Sequence, residues 1–215
     1  MTCAESNQTP NVVLLHGLWM SGFAMRFIGR HLKHAGYKVH YFSYNSVATS
    51  GDDILERLAC VIKENSDGPL FFVAHSLGGL LLLQYLQQHP QTPLAAAVLL
   101  ASPINGSYAA KCLAKTRLGR LMLGKNRSLL ISGVENSGVE HSGVGKIGLI
   151  TGSVGVGLGR LICKLEKPCD GAVSVSETRA VWLSHHLVLK QNHAGILFSP
   201  TVTANILRYF SEKHF

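Results

Sequence analysis

The chain has 215 residues, the length of one domain, and can bury a sizeable core without disulfide or metal staples. Apolar residues make up 47% and charged residues only 15%, which excludes an intrinsically disordered chain. The formal net charge of +8 implies a basic, solvated surface, with attraction to an anionic membrane or acidic substrate as the sharper alternative; apart from a loose cluster over 111–127 the cations are scattered, and they are not interleaved with aromatics, which argues against nucleic acid.

The first ten residues are polar and lack the apolar centre of a secretory signal. The run from Ile147 to Gly159 is too short and too glycine-rich to span a bilayer as a helix, so a cytoplasmic protein is expected. Five cysteines occur, at 3, 60, 112, 163 and 169, with no Cys-x-x-Cys pair. Cys60 falls on a helical pattern and reads as a small core residue. Cys163 and Cys169 could bridge, but free thiols are expected in a reducing compartment.

Asn11–Leu15 is a continuous apolar run, the mark of a strand buried on both faces, and it ends at His16-Gly17-Leu18-Trp19. A helix is predicted over Gly22–His34, capped by Ser21, with Phe23, Phe27, Ile28 and Leu32 facing inward and Gly36 stopping it. Tyr37–Tyr41 reads as a second strand and Ser43–Ser50 as a loop. Gly51–Asn65 has helical periodicity through Ile54, Leu55, Leu58, Ala59 and Ile62. After the turn at Ser66-Asp67-Gly68-Pro69 comes a third strand, Leu70–Ala74, then His75-Ser76-Leu77-Gly78-Gly79 and a helix over Leu80–Gln88. Pro93–Leu100 is a fourth strand.

Residues 104–146 interrupt this rhythm with a basic helical piece, Ala109–Leu123, and a loop rich in glycine and serine; they form a short lid or a long connection. A strand at Ile147–Thr151 resumes the pattern, and the glycine-rich Ser153–Gly159 after it lacks the Gly-Lys-Ser/Thr ending of a phosphate loop. Pro168-Cys169-Asp170-Gly171 marks a turn. His186–Leu189 reads as the last strand, followed by a loop, Gln191–Gly195, and a closing helix over Thr201–Ser211. Strands alternating with helices predict βαβ units, hence a three-layer α/β/α sandwich around a mostly parallel sheet, in one domain over 1–215. Loops after the strands then share one sheet edge, where sites form in open α/β sheets.

His16-Gly17, Ser76 and Ser102-Pro103 all lie at such strand ends. Ala74-His75-Ser76-Leu77-Gly78 has the form of a nucleophile elbow, a sharp strand-to-helix turn that lifts a serine hydroxyl above the sheet edge; alanine stands where the first glycine is usual. A serine needs a base to take its proton, and the base needs a carboxylate to orient it. With the order serine, acid, histidine, Asp170 is the only aspartate after Ser76, with Glu166 the alternative among Glu135, Glu140, Glu166, Glu177 and Glu212. Of the histidines that follow, His141 precedes Asp170, His185 and His186 fall at the wrong end of a strand, and His214 is terminal; His193 lies in the loop after the last strand. Backbone N–H groups of Leu77 and Leu18 are placed to stabilise an oxyanion. Trp19 and Met20, with Phe23, would form an apolar rim to the substrate pocket, while His16 and His75 serve structural roles.

Taken together, Val12 to Trp19, Val73 to Gly79, Asp170-Gly171 with the run to Glu177, and Asn192-His193-Ala194-Gly195 resemble the α/β-hydrolase superfamily, in particular small bacterial lipases and esterases. The resemblance spans almost the whole chain. It implies the minimal form of that fold with a short insertion, and carboxylic ester hydrolysis through an acyl-enzyme on Ser76, with Asp170 and His193 completing the triad. It implies no metal or organic cofactor. The same core hosts acyltransferases and thioesterases, which use the same triad. The basic segment 111–127 adds an expectation of weak association with a membrane surface.

Overall fold

The computed structural model describes residues 9–134, 146–157, 159–183 and 185–215. Residues 1–8 of the polar lead-in, His141, Glu135, Glu140 and the centre of the glycine- and serine-rich loop lie outside them. Six strands form one sheet in the order β2-β1-β3-β4-β5-β6, with every neighbouring pair parallel. They are β1 (Asn11–Leu15), β2 (Lys38–Phe42), β3 (Leu70–His75), β4 (Leu94–Leu100), β5 (Ile147–Gly152) and β6 (His185–Leu189).

Side-chain alternation divides the core between the two sheet faces. Val12 and Leu14 of β1 and Phe71 and Val73 of β3 join one cluster, with Ile28 and Leu32 of α1 (Arg26–His34) and Val202, Ile206, Tyr209 and Phe210 of the closing helix Pro200–Glu212. Val13, Leu15, Phe72 and Ala74 join the other, with Leu55 and Leu58 of α2 (Gly51–Glu64) and Leu80 to Leu83 of α3 (Leu77–Gln88). Each large side chain removed from water contributes roughly 1.5–3 kcal/mol. The result is the expected three-layer α/β/α sandwich.

Helix ends follow local chemistry. Ser50 accepts from Asp53 N and caps α2; Ser199 accepts from Val202 N and Pro200 occupies the first turn of the closing helix. Gly36, with φ +90°, turns the chain from α1 into β2. Ser21 does not cap as expected. Its side chain makes no cap bond, and its carbonyl instead accepts from Ala24 N in a 3-10 turn, Gly22–Met25, that precedes α1. That turn carries Phe23 outward, so Phe23 is exposed and Met25 takes the buried place. Cys60 is also exposed: it sits two residues past Leu58, on the outer side of α2.

The basic piece Ala109–Leu123 is not one helix. It divides into α4 (Tyr108–Leu113) and α5 (Arg117–Leu123), because the Thr116 hydroxyl accepts from Gly119 N and starts a new helix. Gly124, at φ +65°, ends α5, and α6 (Arg127–Ser132) occupies part of the expected loop. Beyond β5, a short α7 (Gly159–Ile162) leads to the Asp170 turn, and the closing helix is α8. Cys112, Cys163 and Cys169 are free thiols. Cys163 faces Cys112 rather than Cys169, and burial pushes its thiol up to about 11.

Candidate active site

Ser76 stands between β3 and α3 with φ 53° and ψ −118°, a conformation that side chains with a Cβ rarely adopt. Two contacts force the turn. Ser76 N donates to Leu100 O at 2.9 Å, tying the elbow to the end of β4. Gly78 then passes so close to β1 that a Cβ there would meet His16 O at 2.6 Å and Leu15 O at 2.9 Å. Gly79 is equally constrained by the Ser102 side chain. The small residues after Ser76 are thus required by the approach of α3 to β1 and β4. Leu77 begins α3, so its N–H has no partner within the helix.

Asp170 and His193 meet at the same edge. The fully buried Asp170 accepts from Ala172 N (2.9 Å) and Val173 N (2.7 Å) through Oδ1. Its Oδ2 accepts from His193 Nδ1 at 2.7 Å. The imidazole therefore carries its proton on Nδ1 and has a lone pair on Nε2. Gly152 at the end of β5 makes the approach possible, since a Cβ there would strike Gln191 O and lie 2.9 Å from Asp170 Cβ. The glycine-rich run has a similar cause: Gly157 and Gly159 lie against Gly171, at 3.0 and 2.6 Å from its carbonyl oxygen for an added Cβ.

Two buried histidines brace the site. His16 Nδ1 donates to Gly17 O (2.9 Å), its Nε2 accepts from Tyr44 N (3.2 Å), and its ring stacks on Tyr44. Burial holds its pKa below the ordinary histidine value. His75 Nε2 donates to His193 O (3.1 Å) while its Nδ1 is buried without a hydrogen-bond partner. Burial, then the neighbouring His193, holds its pKa well below the usual range. Both rings are neutral supports. Gly17 lies against Ser76, 3.1 Å from its Cβ for an added side chain, which brings Leu18 beside the serine. The next residue, Trp19, has φ 58° and is held at both ends: its N donates to Ser46 Oγ (2.9 Å) and its Nε1 to Met122 O (2.8 Å).

Ser76 and His193 open into one cavity of about 310 Å³. Leu18, Trp19 and Met20 line it, as do Leu113, Leu123 and Leu130 of the insertion and Val156, Ile162 and Val173 across from them. Among the described residues no Asp, Glu, Lys or Arg lines it. A more open groove of about 540 Å³, over Ser43 to Val47 and Arg57, shares Trp19 and Met20 but contains neither Ser76 nor His193. The sequence reading allowed the insertion to be a lid but named none of these wall residues; Leu123 and Leu130 also join the core on that side of the sheet.

The other candidates fall elsewhere. Glu166 bonds Ser176 Oγ at the surface, Glu177 accepts from Tyr108 N and Ser174 N, and Glu212 pairs with Arg208 and His214. His186 is bonded to Thr178 Oγ1 and burial pushes it down to about 4, and His185 packs on Tyr209. Among the described residues no cluster of His, Cys, Asp and Glu could hold a metal ion, and no helix is long and apolar enough to cross a membrane.

A family model described as the α/β-hydrolase fold matches residues 10–116. No curated protein matches the chain by sequence. Among solved structures, the mature form of lipase BlEst2 from Bacillus licheniformis is similar, with a TM-score of 0.76 at 17% identity over 98% of this chain and 95% of that one. A monoacylglycerol lipase from Paleococcus ferrophilus gives 0.68 at 16% identity over 94% of each chain. The ydeN gene product of B. subtilis gives 0.66 at 18% identity, over 95% of this chain and all of that one. At these identities the likeness is one of fold, and it agrees with the parallel sheet, the turn after β3 and the family model matched over 10–116: the chain has the α/β-hydrolase fold.

Proposed function

We propose that the protein is a serine hydrolase of carboxylic esters with apolar acyl groups. The observation that carries this reading is the convergence of Ser76, on its strained turn, with the Asp170–His193 pair on one cavity that no charged residue among the described ones lines. Two of the structures similar to it are named as lipases, which supports the same reading.

In this reading Ser76 Oγ attacks the ester carbonyl carbon and its proton passes to His193 Nε2. Asp170 stabilises the imidazolium through Nδ1–H. The carbonyl electron pair moves to oxygen, where Leu77 N–H and Leu18 N–H donate to it. Collapse expels the alcohol, which takes the proton from His193. Water, deprotonated by the same ring, then releases the acid and restores Ser76. His16 and His75 take no proton; they hold the Leu18 loop and the His193 loop in place.

An organophosphonate probe should label Ser76 alone, and a panel of p-nitrophenyl esters should be hydrolysed to free acid, with Ser76→Ala inactive. Full activity in that variant would overturn the assignment. Product carried onto an added alcohol, with little free acid, would instead identify an acyltransferase.

A further inference from the structure

The insertion that walls the cavity has an outer face that the proposed reaction does not use. On α5, Leu123 faces the cavity and Gly119 is buried, while Leu118, Leu121 and Met122, at helical spacing on the opposite side, are 67%, 72% and 39% exposed. Lys111, Lys115, Arg117, Arg120, Lys125 and Arg127 surround them, all exposed. No Asp or Glu occurs anywhere between residues 68 and 134, and none of the ion pairs among the described residues involves these six cations. Trp19, 46% exposed at the cavity rim, is hydrogen-bonded to the Met122 carbonyl, so this face adjoins the cavity mouth.

Protruding apolar side chains in a ring of cations that form no ion pair among the described residues suit a surface that is anionic outside and apolar just beneath. An anionic phospholipid bilayer has that layering. An acidic protein would satisfy the cations and leave Leu118 and Leu121 without an apolar bed. We propose that the α5 face docks on an anionic phospholipid bilayer, with Leu118, Leu121 and Met122 entering the headgroup–acyl boundary and the cavity mouth turned to the lipid. This adds a partner to the proposed hydrolase, and its test does not need catalysis.

The full chain carrying Ser76→Ala is floated with vesicles of phosphatidylglycerol and phosphatidylcholine, or of phosphatidylcholine alone. Partition is expected to be at least about tenfold stronger on the anionic vesicles and to fall when salt is raised from about 0.1 M to about 0.5 M. Leu118→Ser/Leu121→Ser, in exposed positions, should lose most of the binding yet keep the fold by circular dichroism and, with Ser76 intact, hydrolyse a short soluble ester normally. Equal partition on both vesicles, indifference to salt, or no partition would overturn the docking face. Unchanged binding by the double variant would also overturn it, leaving only diffuse attraction to any polyanion. Loss of soluble-ester hydrolysis on Ser76→Ala is scored separately, so the reaction and the docking face stand or fall apart.

Discussion

Asp170 holds His193 twice: its backbone carbonyl accepts from His193 N at 2.9 Å, and its carboxylate accepts from His193 Nδ1 at 2.7 Å. The first bond fixes the loop and the second fixes the ring, so the two contributions can be separated. Asp170→Asn retains the carbonyl bond and an oxygen for Ala172 N and Val173 N. Its amide NH2, however, would oblige His193 to present a lone pair at Nδ1 and carry its proton on Nε2, leaving no lone pair there to take the Ser76 proton. The variant is expected to fold, with an unchanged circular dichroism spectrum, and to lose on the order of 10³- to 10⁴-fold in kcat. An activity within a few-fold of the parent would show that the carboxylate does not orient a catalytic ring.

The elbow conformation has a stability cost. A non-glycine residue at φ 53°, ψ −118° stores on the order of 1–3 kcal/mol, which glycine does not. Ser76→Gly should therefore abolish hydrolysis and raise the melting temperature by roughly 2–4 °C per kcal/mol recovered. A lower melting temperature would mean that hydroxyl contacts outweigh the strain.

Acid should weaken the fold through His16 and His75. Both rings are fully buried, and burial lowers both pKa values, so the folded chain keeps them neutral where the unfolded chain begins to protonate near 6.5. The unfolded state then binds more protons, and stability is present in full above pH 6.5 and lost as pH falls below it. Each ring contributes a slope of up to about 1.4 kcal/mol per pH unit. Urea midpoints measured between pH 7 and 5 should fall accordingly, and Ser76→Ala should follow the same curve because the serine does not titrate. A flat profile would show that these rings are not held neutral.

Leu130 is buried and borders the cavity from α6. Leu130→Ala is expected to cost about 2–4 kcal/mol in stability while enlarging the space for an acyl chain. The ratio of kcat/KM for octanoate over butyrate esters should rise, by up to roughly fourfold for each additional methylene buried. An unchanged ratio would place the acyl chain elsewhere.

The sheet was legible because strands buried on both faces must be apolar without interruption: β1 occupies the expected residues, and β5 extends only one beyond them. Ser76, Asp170 and His193 were legible for a related reason, since each follows a strand or turn that the pattern exposes, and the sheet edge brings them together. What the pattern could not convey was which surface an apolar residue serves. Phe23 and Cys60 fit helical stripes yet face outward, while Leu113 and Leu123, on a segment read as a basic helix, wall the cavity. The break at Thr116 was hidden as well, because a hydroxyl caps a helix only when the chain has already turned there. Pairs of glycines such as Gly157 and Gly171 explain one another only after the fold has brought them into contact.

The two-ended fastening of Trp19 also makes the site optically observable. The chain has two tryptophans, and Trp182 is buried, so it supplies a steady blue emission. Trp19 is half in solvent, with its indole N–H bonded to α5 and its backbone in the loop that carries Leu18. Any shift of α5 against that loop must change the polarity around this one indole. With Trp182→Phe as background, the emission of Trp19 becomes a direct reading of how the insertion sits over Ser76.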